Sequence, residues 1–217
     1  MTAHPSEATL MAHAAGQLGR AHATVVSAHA ETCPHCRERL ADFAAIGGVL
    51  LEELPLASMA GGFDRLIERI DREENAVVEA VFTGARPRGG PADDIRLPAA
   101  LDRLPVGRCR WMGPGMKYAR VGIADENGVQ LVFLSIAPGR AMPEHGHSGR
   151  EFTLVLQGSF GDARGRFVAG DFAEEDEDTE HTPVVAAGVD CICLASIEGR
   201  MRPRSLVARL VQPFIGL

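Results

Sequence analysis

Gly139-Arg-Ala-Met-Pro-Glu-His145-Gly-His147-Ser-Gly-Arg-Glu151-Phe-Thr-Leu-Val-Leu-Gln-Gly158 sets two imidazoles at i and i+2 and a carboxylate four residues after the second. Side chains at i and i+2 of a β-strand project from one face, so His145 and His147 can point together into a barrel while Glu151 returns on an adjoining strand. A set of imidazoles with one carboxylate accepts Zn, Mn, Fe, Ni or Cu, and the spacing does not choose among them. The surrounding sequence agrees with a barrel. Residues 130–136, 152–156 and 191–197 are short runs of Val, Ile, Leu and Phe, punctuated by Gly or Pro turns at a spacing of about 8–15 residues, which favours an antiparallel barrel or sandwich. Cys191 and Cys193 share a face of one such run. At roughly 6.5–7 Å between Cα atoms they are poorly placed for a mutual disulfide and read as buried thiols. The acidic tract Glu174–Glu180 reads as a solvated loop on the barrel rim; a second reading is that its field favours protonated His181.

Upstream the pattern changes. Residues 83–94 are dense in Gly and Pro with no apolar periodicity, as expected of a linker. Before them, Phe63, Leu66, Ile67 and Ile70 recur at i, i+3, i+4 and i+7, predicting a helix from about Gly62 to Phe82. A second helix is suggested around Leu40–Leu51, weakened by Gly47 and Gly48. Two shorter ones, Ser6–Leu18 with Ser6 as N-cap and Ala21–Ala30, are broken at Gly19. The expected fold class is α+β in two domains: a small all-α unit at 1–85, a linker at 86–98 and an all-β barrel at 99–217.

His29-Ala-Glu-Thr-Cys33-Pro-His-Cys36 holds three potential ligands within eight residues. If His29 ends one helix and Cys33 turns into the next, Pro34 suits a first helical turn, and one imidazole and two thiolates can converge on one ion, with zinc favoured. A redox pair or two buried thiols is the alternative, but the usual redox context is a βαβ fold, absent here. His4, His13, His22 and His35 are all available as a fourth ligand.

These residues resemble the zinc-binding anti-sigma factors, through His4, Gly16-Gln17-Leu18, His29, Cys33, Cys36 and Arg37. The resemblance implies zinc held by His4, His29, Cys33 and Cys36, with His13 packing between helices and His22 and His35 outside any ligand position. The later stretch is similar to the first cupin motif, Gly-x5-His-x-His-x3-Glu-x6-Gly, with every spacing kept. The second motif survives in outline as Gly170 and His181. That similarity implies a jelly-roll cupin whose ligands are His145, His147, Glu151 and His181, with Zn or another divalent transition metal such as Mn, Fe or Ni.

The order of the parts, together with Glu180–Val184, Asp190–Leu194 and Leu210–Phe214, resembles the ChrR-type anti-sigma factors. What this implies is an inhibitor that binds an extracytoplasmic-function (ECF) sigma factor through its helical domain and releases it on oxidative, singlet-oxygen-like stress sensed by the cupin. Residues 1–85 carry six Arg against twelve Asp and Glu, which suits a partner with basic surfaces.

Composition is that of an ordinary soluble protein. The 217 residues carry 22 Lys and Arg against 29 Asp and Glu, a net charge of −7, and no basic stripe of the kind that grips nucleic acid. Five Cys in a chain this long indicate a reducing compartment rather than disulfide staples. The longest uncharged apolar run, residues 43–51, is far below the ~18 residues that span a membrane, so the expectation is a cytoplasmic protein. The competing class is a metal-dependent cupin enzyme such as a dioxygenase, for which the attached zinc unit has no evident use. Oligomeric state is not readable from the sequence.

Overall fold

A computed structural model describes residues 3–55, 61–81, 95–102, 104–123, 128–199 and 201–203. Most of the expected linker, the end of the last expected helix at Phe82, and the stretch Leu210–Phe214 lie outside the described residues.

Four helices come first. In α1 (Glu7–Ala14) the Ser6 side chain caps the N-terminus, accepting from the Thr9 N–H at 3.2 Å. The helix stops at Ala14, short of the expected Leu18, because Gly16 turns to φ +68 and Gln17 N–H closes back on Ala12 O at 2.8 Å. Gly19 then caps α2 (Arg20–Thr32). Cys33, extended at φ −103 and ψ 102, ends α2 and caps α3 (Pro34–Glu52), with Pro34 in the first turn. Helix α3 runs through Gly47 and Gly48, where the sequence suggested weakness. A cost of about 1 kcal/mol per glycine is spread over a 19-residue helix with strong helix formers on both sides. Helix α4 spans Gly62–Val81.

The remainder is antiparallel β. A six-stranded sheet has the order β1 (Arg110–Gly113), β2 (Met116–Val121), β3 (Gln130–Ile136), β11 (Cys191–Ile197), β5 (Glu151–Gln157) and β8 (Phe172–Glu175). Two three-stranded sheets complete it. One has β10 (Val184–Val185), β6 (Ser159–Asp162) and β7 (Gly165–Val168); the other has β12 (Met201–Pro203), β4 (His145–His147) and β9 (Glu180–His181). The three runs singled out by composition are β3, β5 and β11, the centre of the large sheet.

Those strands read as continuous apolar runs because both of their faces are covered. Met116, Tyr118, Val132, Leu134, Cys193, Ala195 and Ile197 face the barrel interior with Phe160 and Phe167. On the other face Phe133, Phe152, Leu154, Ile192 and Leu194 join Leu10, Ala21, Val25, Val26 and Ala28 in one apolar cluster. Helix α2 therefore lies on the outer wall of the barrel, and the helical unit and the barrel share a core. Helical periodicity alone did not foresee this. Ile95 and Leu97, at the end of the expected linker, pack against the same cluster. The Glu31 carboxylate accepts from Ala99 and Ala100 N–H at 2.8 and 2.7 Å, tying α2 to the short 3-10 turn Ala99–Leu101.

Candidate metal centres

The first cluster is built by a helix break. His29 lies in the last turn of α2, Cys33 at the junction and Cys36 in the first turn of α3, where its N–H approaches Cys33 Sγ at 3.5 Å. Arg37 holds the arrangement by donating to the last carbonyls of α2, Ala30 O and Glu31 O, at 3.1 and 3.2 Å. His4 arrives from the segment before α1. Its Nδ1 is 3.4 Å from His29 Nε2, 3.3 Å from Cys33 Sγ and 3.4 Å from Cys36 Sγ. All four donor atoms lie within 4.8 Å of one another. Tetrahedral zinc with ordinary Zn–N and Zn–S bonds requires donors about 3.3–3.8 Å apart.

The electrostatics fit a cation. Burial pushes the Cys36 thiol up to about 12, followed in effect by the Cys33 side chain, and pushes His29 down to about 4. Thiolates so placed require a positive charge beside them. The His29 Nδ1–H donates to Gly170 O at 2.9 Å, which leaves Nε2 as the free nitrogen facing the cluster. Two thiols and two imidazoles in this arrangement fit a zinc site. The other histidines do not join it. His13 Nε2 is 3.3 Å from Ser27 Oγ between α1 and α2, as expected of a packing residue. His22 is buried against the barrel, with Nδ1 2.7 Å from Ser196 Oγ. His35 is beside His4, ring centroids 5.0 Å apart, but outside the group.

The second cluster lies inside the barrel. Gly139 (φ +70) and Gly158 (φ +72) turn the chain at the ends of the motif; a Cβ on Gly158 would come within 2.7 Å of Asp190 O, which is why glycine stands there. On β4, His145 and His147 project to one face, and β9 pairs in register so that His181 stands opposite His145. His181 Nε2 is 3.1 Å from His145 Nε2 and 3.4 Å from His147 Nε2. Two of the Nδ1 atoms have an acceptor, Pro143 O at 2.8 Å from His145 and Asp162 Oδ2 at 3.2 Å from His181; Glu151 Oε2 comes within 3.2 Å of His147 Nδ1 without hydrogen-bond geometry, which leaves both of those atoms unpaired. Three Nε2 atoms converge on one buried point, and those of His145 and His181 are left with their lone pairs turned on each other, an arrangement that a cation relieves.

Glu151 stands beside this triad, not among its converging atoms. Its Oε1 accepts from Thr153 Oγ1 at 3.0 Å while Oε2 faces His147 Nδ1. Burial raises its pKa.

Sequence reasoning missed three residues here. Asp162 closes β6, Arg164 follows it, and Glu175 ends β8; Arg164 joins the two carboxylates, at 2.7 Å from Asp162 and in close contact with Glu175. Asp162, Glu175 and His181 form a further group with metal-ligating potential. Strand parity held the signal, since Ala173 faces the barrel interior and Glu175 is two residues on. The acidic tract is accordingly not all rim loop: Glu174 and Glu175 belong to β8, and Glu175 is buried. Nor is His181 favoured in its charged form. Burial first, then the neighbouring His145, pushes it down to about 4.

An apolar cavity of about 40 Å³ adjoins His145 and His181, lined in part by Leu134, Met142, Phe160 and Val185. Cys191 and Cys193 open onto it as free thiols with their sulfurs 3.7 Å apart.

Residues 106–198 match the family described as the ChrR cupin-like domain. Over 97% of its length the chain is 40% identical to the anti-sigma-E factor ChrR of Cereibacter sphaeroides, of which it covers 96%. The crystal structure of Rhodobacter sphaeroides SigE in complex with the anti-sigma ChrR is similar with a TM-score of 0.67 and 35% identity, covering 90% of this chain and 98% of that one. Among the described residues no helix is long and apolar enough to cross a membrane.

Proposed function

Because this chain belongs to the ChrR family of anti-sigma factors, we propose that it sequesters an ECF sigma factor through its helical unit and releases it when the cupin barrel senses oxidative, singlet-oxygen-like stress. Its role is regulatory rather than enzymatic.

The observation that carries the binding reading is an uncovered apolar face. On α4, Phe63 is 73% exposed, Leu66 47%, Ile67 42% and Ile70 45%, and these four fall on one helical stripe. Val49, Leu50, Leu51 and Leu54, in and just after the last turns of α3, are exposed as well. A contiguous apolar face on a monomer marks an interaction site. Acidic residues border it, and the first 85 residues carry twice as many acids as arginines, so the sigma surface it covers is apolar with basic flanks. Such masking keeps the sigma factor from polymerase and takes place in the cytoplasm, without direct contact to nucleic acid or membrane.

In this reading His4, His29, Cys33 and Cys36 hold zinc, which ties α1, α2 and α3 into one rigid base from which the exposed apolar end of α3 projects. His145, His147 and His181, with Glu151 beside them, hold a divalent transition metal (Zn, Mn, Fe or Ni), which supplies a reactive or ligand-exchanging centre within the sensor. The chain's own residues keep His145 and His181 in one tautomer through Pro143 O and Asp162, and exclude bulk water by burying the triad. A metal-dependent dioxygenase is the other reading of a cupin, and the attached cysteine-histidine unit, for which such an enzyme has no evident use, does not favour it.

The test is to tag the chain in its native host and identify what co-purifies. A stoichiometric ECF sigma factor with the wild type, lost in a Cys33→Ser, Cys36→Ser variant, is the expected result. Absence of any sigma factor under unstressed growth overturns the proposal.

A further inference from the structure

Strand β8 and the turn before it touch both clusters, one from each face. On the outer side Phe172 N–H donates to Ala3 O at 3.0 Å, and Ala3 N–H donates to Asp171 Oδ1 at 3.3 Å. The other oxygen of Asp171 accepts from Val168 N–H at 2.9 Å, so this carboxylate is itself held by the barrel. Glu174 accepts from Ser6 N–H at 3.0 Å, from Ser6 Oγ at 3.3 Å and from Thr9 Oγ1 at 2.6 Å. His4 therefore sits between two anchors, Ala3 and Ser6, both fastened to the barrel. His29 is fastened as well, through Gly170 O at 2.9 Å and by the Phe172 ring at its edge, centroids 5.6 Å apart. On the inner side of the same strand Glu175 Oε1 lies 3.6 Å from His181 Nδ1 and meets Arg164.

We propose that residues 170–175 of the barrel are the outer shell of the helical metal centre, so that docking of the barrel and retention of that metal are one linked equilibrium. This rests on reading His4, His29, Cys33 and Cys36 as a metal site. Cys33 and Cys36 are set by the α2–α3 junction, but the His29 imidazole is oriented by Gly170 O, and the backbone on both sides of His4 is fastened to the other unit. A partner bonded directly to a ligating ring, as Gly170 O is to His29, is worth roughly 10–100-fold in metal affinity, and Glu174, acting one step further out through Ser6 and Thr9, belongs at the low end of that range. Linkage makes the effect reciprocal: whatever the barrel contacts add to metal retention, the metal adds to docking. Glu175 on the opposite face gives the barrel centre a direct mechanical route to the same strand, four residues from Asp171.

The full chain loaded with Co²⁺ provides the test, since thiolate-to-cobalt charge transfer in the near ultraviolet reports a Cys-ligated centre. The band is titrated away with EDTA in the wild type, in Glu174→Ala, and in Glu177→Ala, an exposed acid with the same charge change. The expected result is an affinity about 10-fold lower for Glu174→Ala and within about two-fold of wild type for Glu177→Ala. Thr9→Val, which deletes one of the three donors to Glu174, falls between and covers the case in which Glu174→Ala folds poorly. Conversely, stripping the metal from the wild type accelerates amide exchange at Phe172 and Ser6. Equal EDTA midpoints for all variants, or unchanged exchange on metal removal, overturn the linkage while leaving the metal site intact. A wild type with no thiolate band overturns the metal site itself, and the linkage with it.

Discussion

Truncating Phe63 and Leu66 together to alanine separates a docking face from a structural one. Fully burying a Phe or Leu side chain contributes about 1.5–3 kcal/mol. Phe63 still exposes 73% of its surface and Leu66 47%, so the share left to gain on docking is about 1–2 kcal/mol for the first and about 1 kcal/mol for the second. Their joint loss weakens sigma binding by about 2–3 kcal/mol, or roughly 30–150-fold in Kd. Folding stability changes little, because what leaves the free protein is largely surface already in water and alanine is the better helix former. The assay is calorimetric titration of the purified ECF sigma factor into each protein, beside a thermal melt. A Kd within about three-fold of wild type, which is roughly 0.6 kcal/mol, refutes the docking argument. A melting point lowered by more than about 4 °C, more than 1 kcal/mol lost from a chain of this length with a shared core, shows instead that the stripe is packed within the protein.

Asp162→Asn removes the charge that fixes His181 Nδ1 and is expected to lower metal affinity at the barrel centre roughly 10-fold while leaving the cysteine centre unchanged, as read by metal analysis after dialysis. His22→Ala deletes the Ser196 hydrogen bond and a ring packed 4.4 Å from Phe152, and should cost on the order of 3 kcal/mol in urea unfolding; a loss below about 1 kcal/mol would mean that the two units are not joined there. In metal-free protein His29, His147 and His181 stay neutral down to about 4, whereas unfolded imidazoles protonate near 6.5. The unfolded state then binds more protons below about pH 6.5, so stability falls by roughly 1 kcal/mol per imidazole between pH 7 and 5.5 and continues to fall toward pH 4. Glu175, raised to about 7 chiefly by burial, takes up its proton first in the folded state and offsets roughly one imidazole over that range. Greater resistance to urea at pH 5.5 than at pH 7 would contradict this balance.

Much of the molecule is local in origin and therefore legible along the chain. A helix break at Cys33 with Pro34 behind it, a two-residue alternation at His145 and His147, and a 3.6-residue stripe from Phe63 to Ile70 each follow from backbone geometry within a few residues. These suffice for an α+β chain with a cysteine-histidine cluster in its helical part and a histidine cluster in its barrel. Even Ser6 and Gly139 announce their turns, because capping and left-handed backbone are properties of single residues. Long-range placement is different. That α2 lies on the outer face of β5 and β11, that Glu151 stands beside His147 rather than among the converging imidazoles, and that Asp162, Arg164 and Glu175 support His181 all depend on strand order. The same holds for β8 holding His4 and His29. Pairing across 140 or more residues, as between His29 and Gly170, leaves no periodic trace, because a carbonyl oxygen is present at every residue and only the assembled sheet selects which one the imidazole meets.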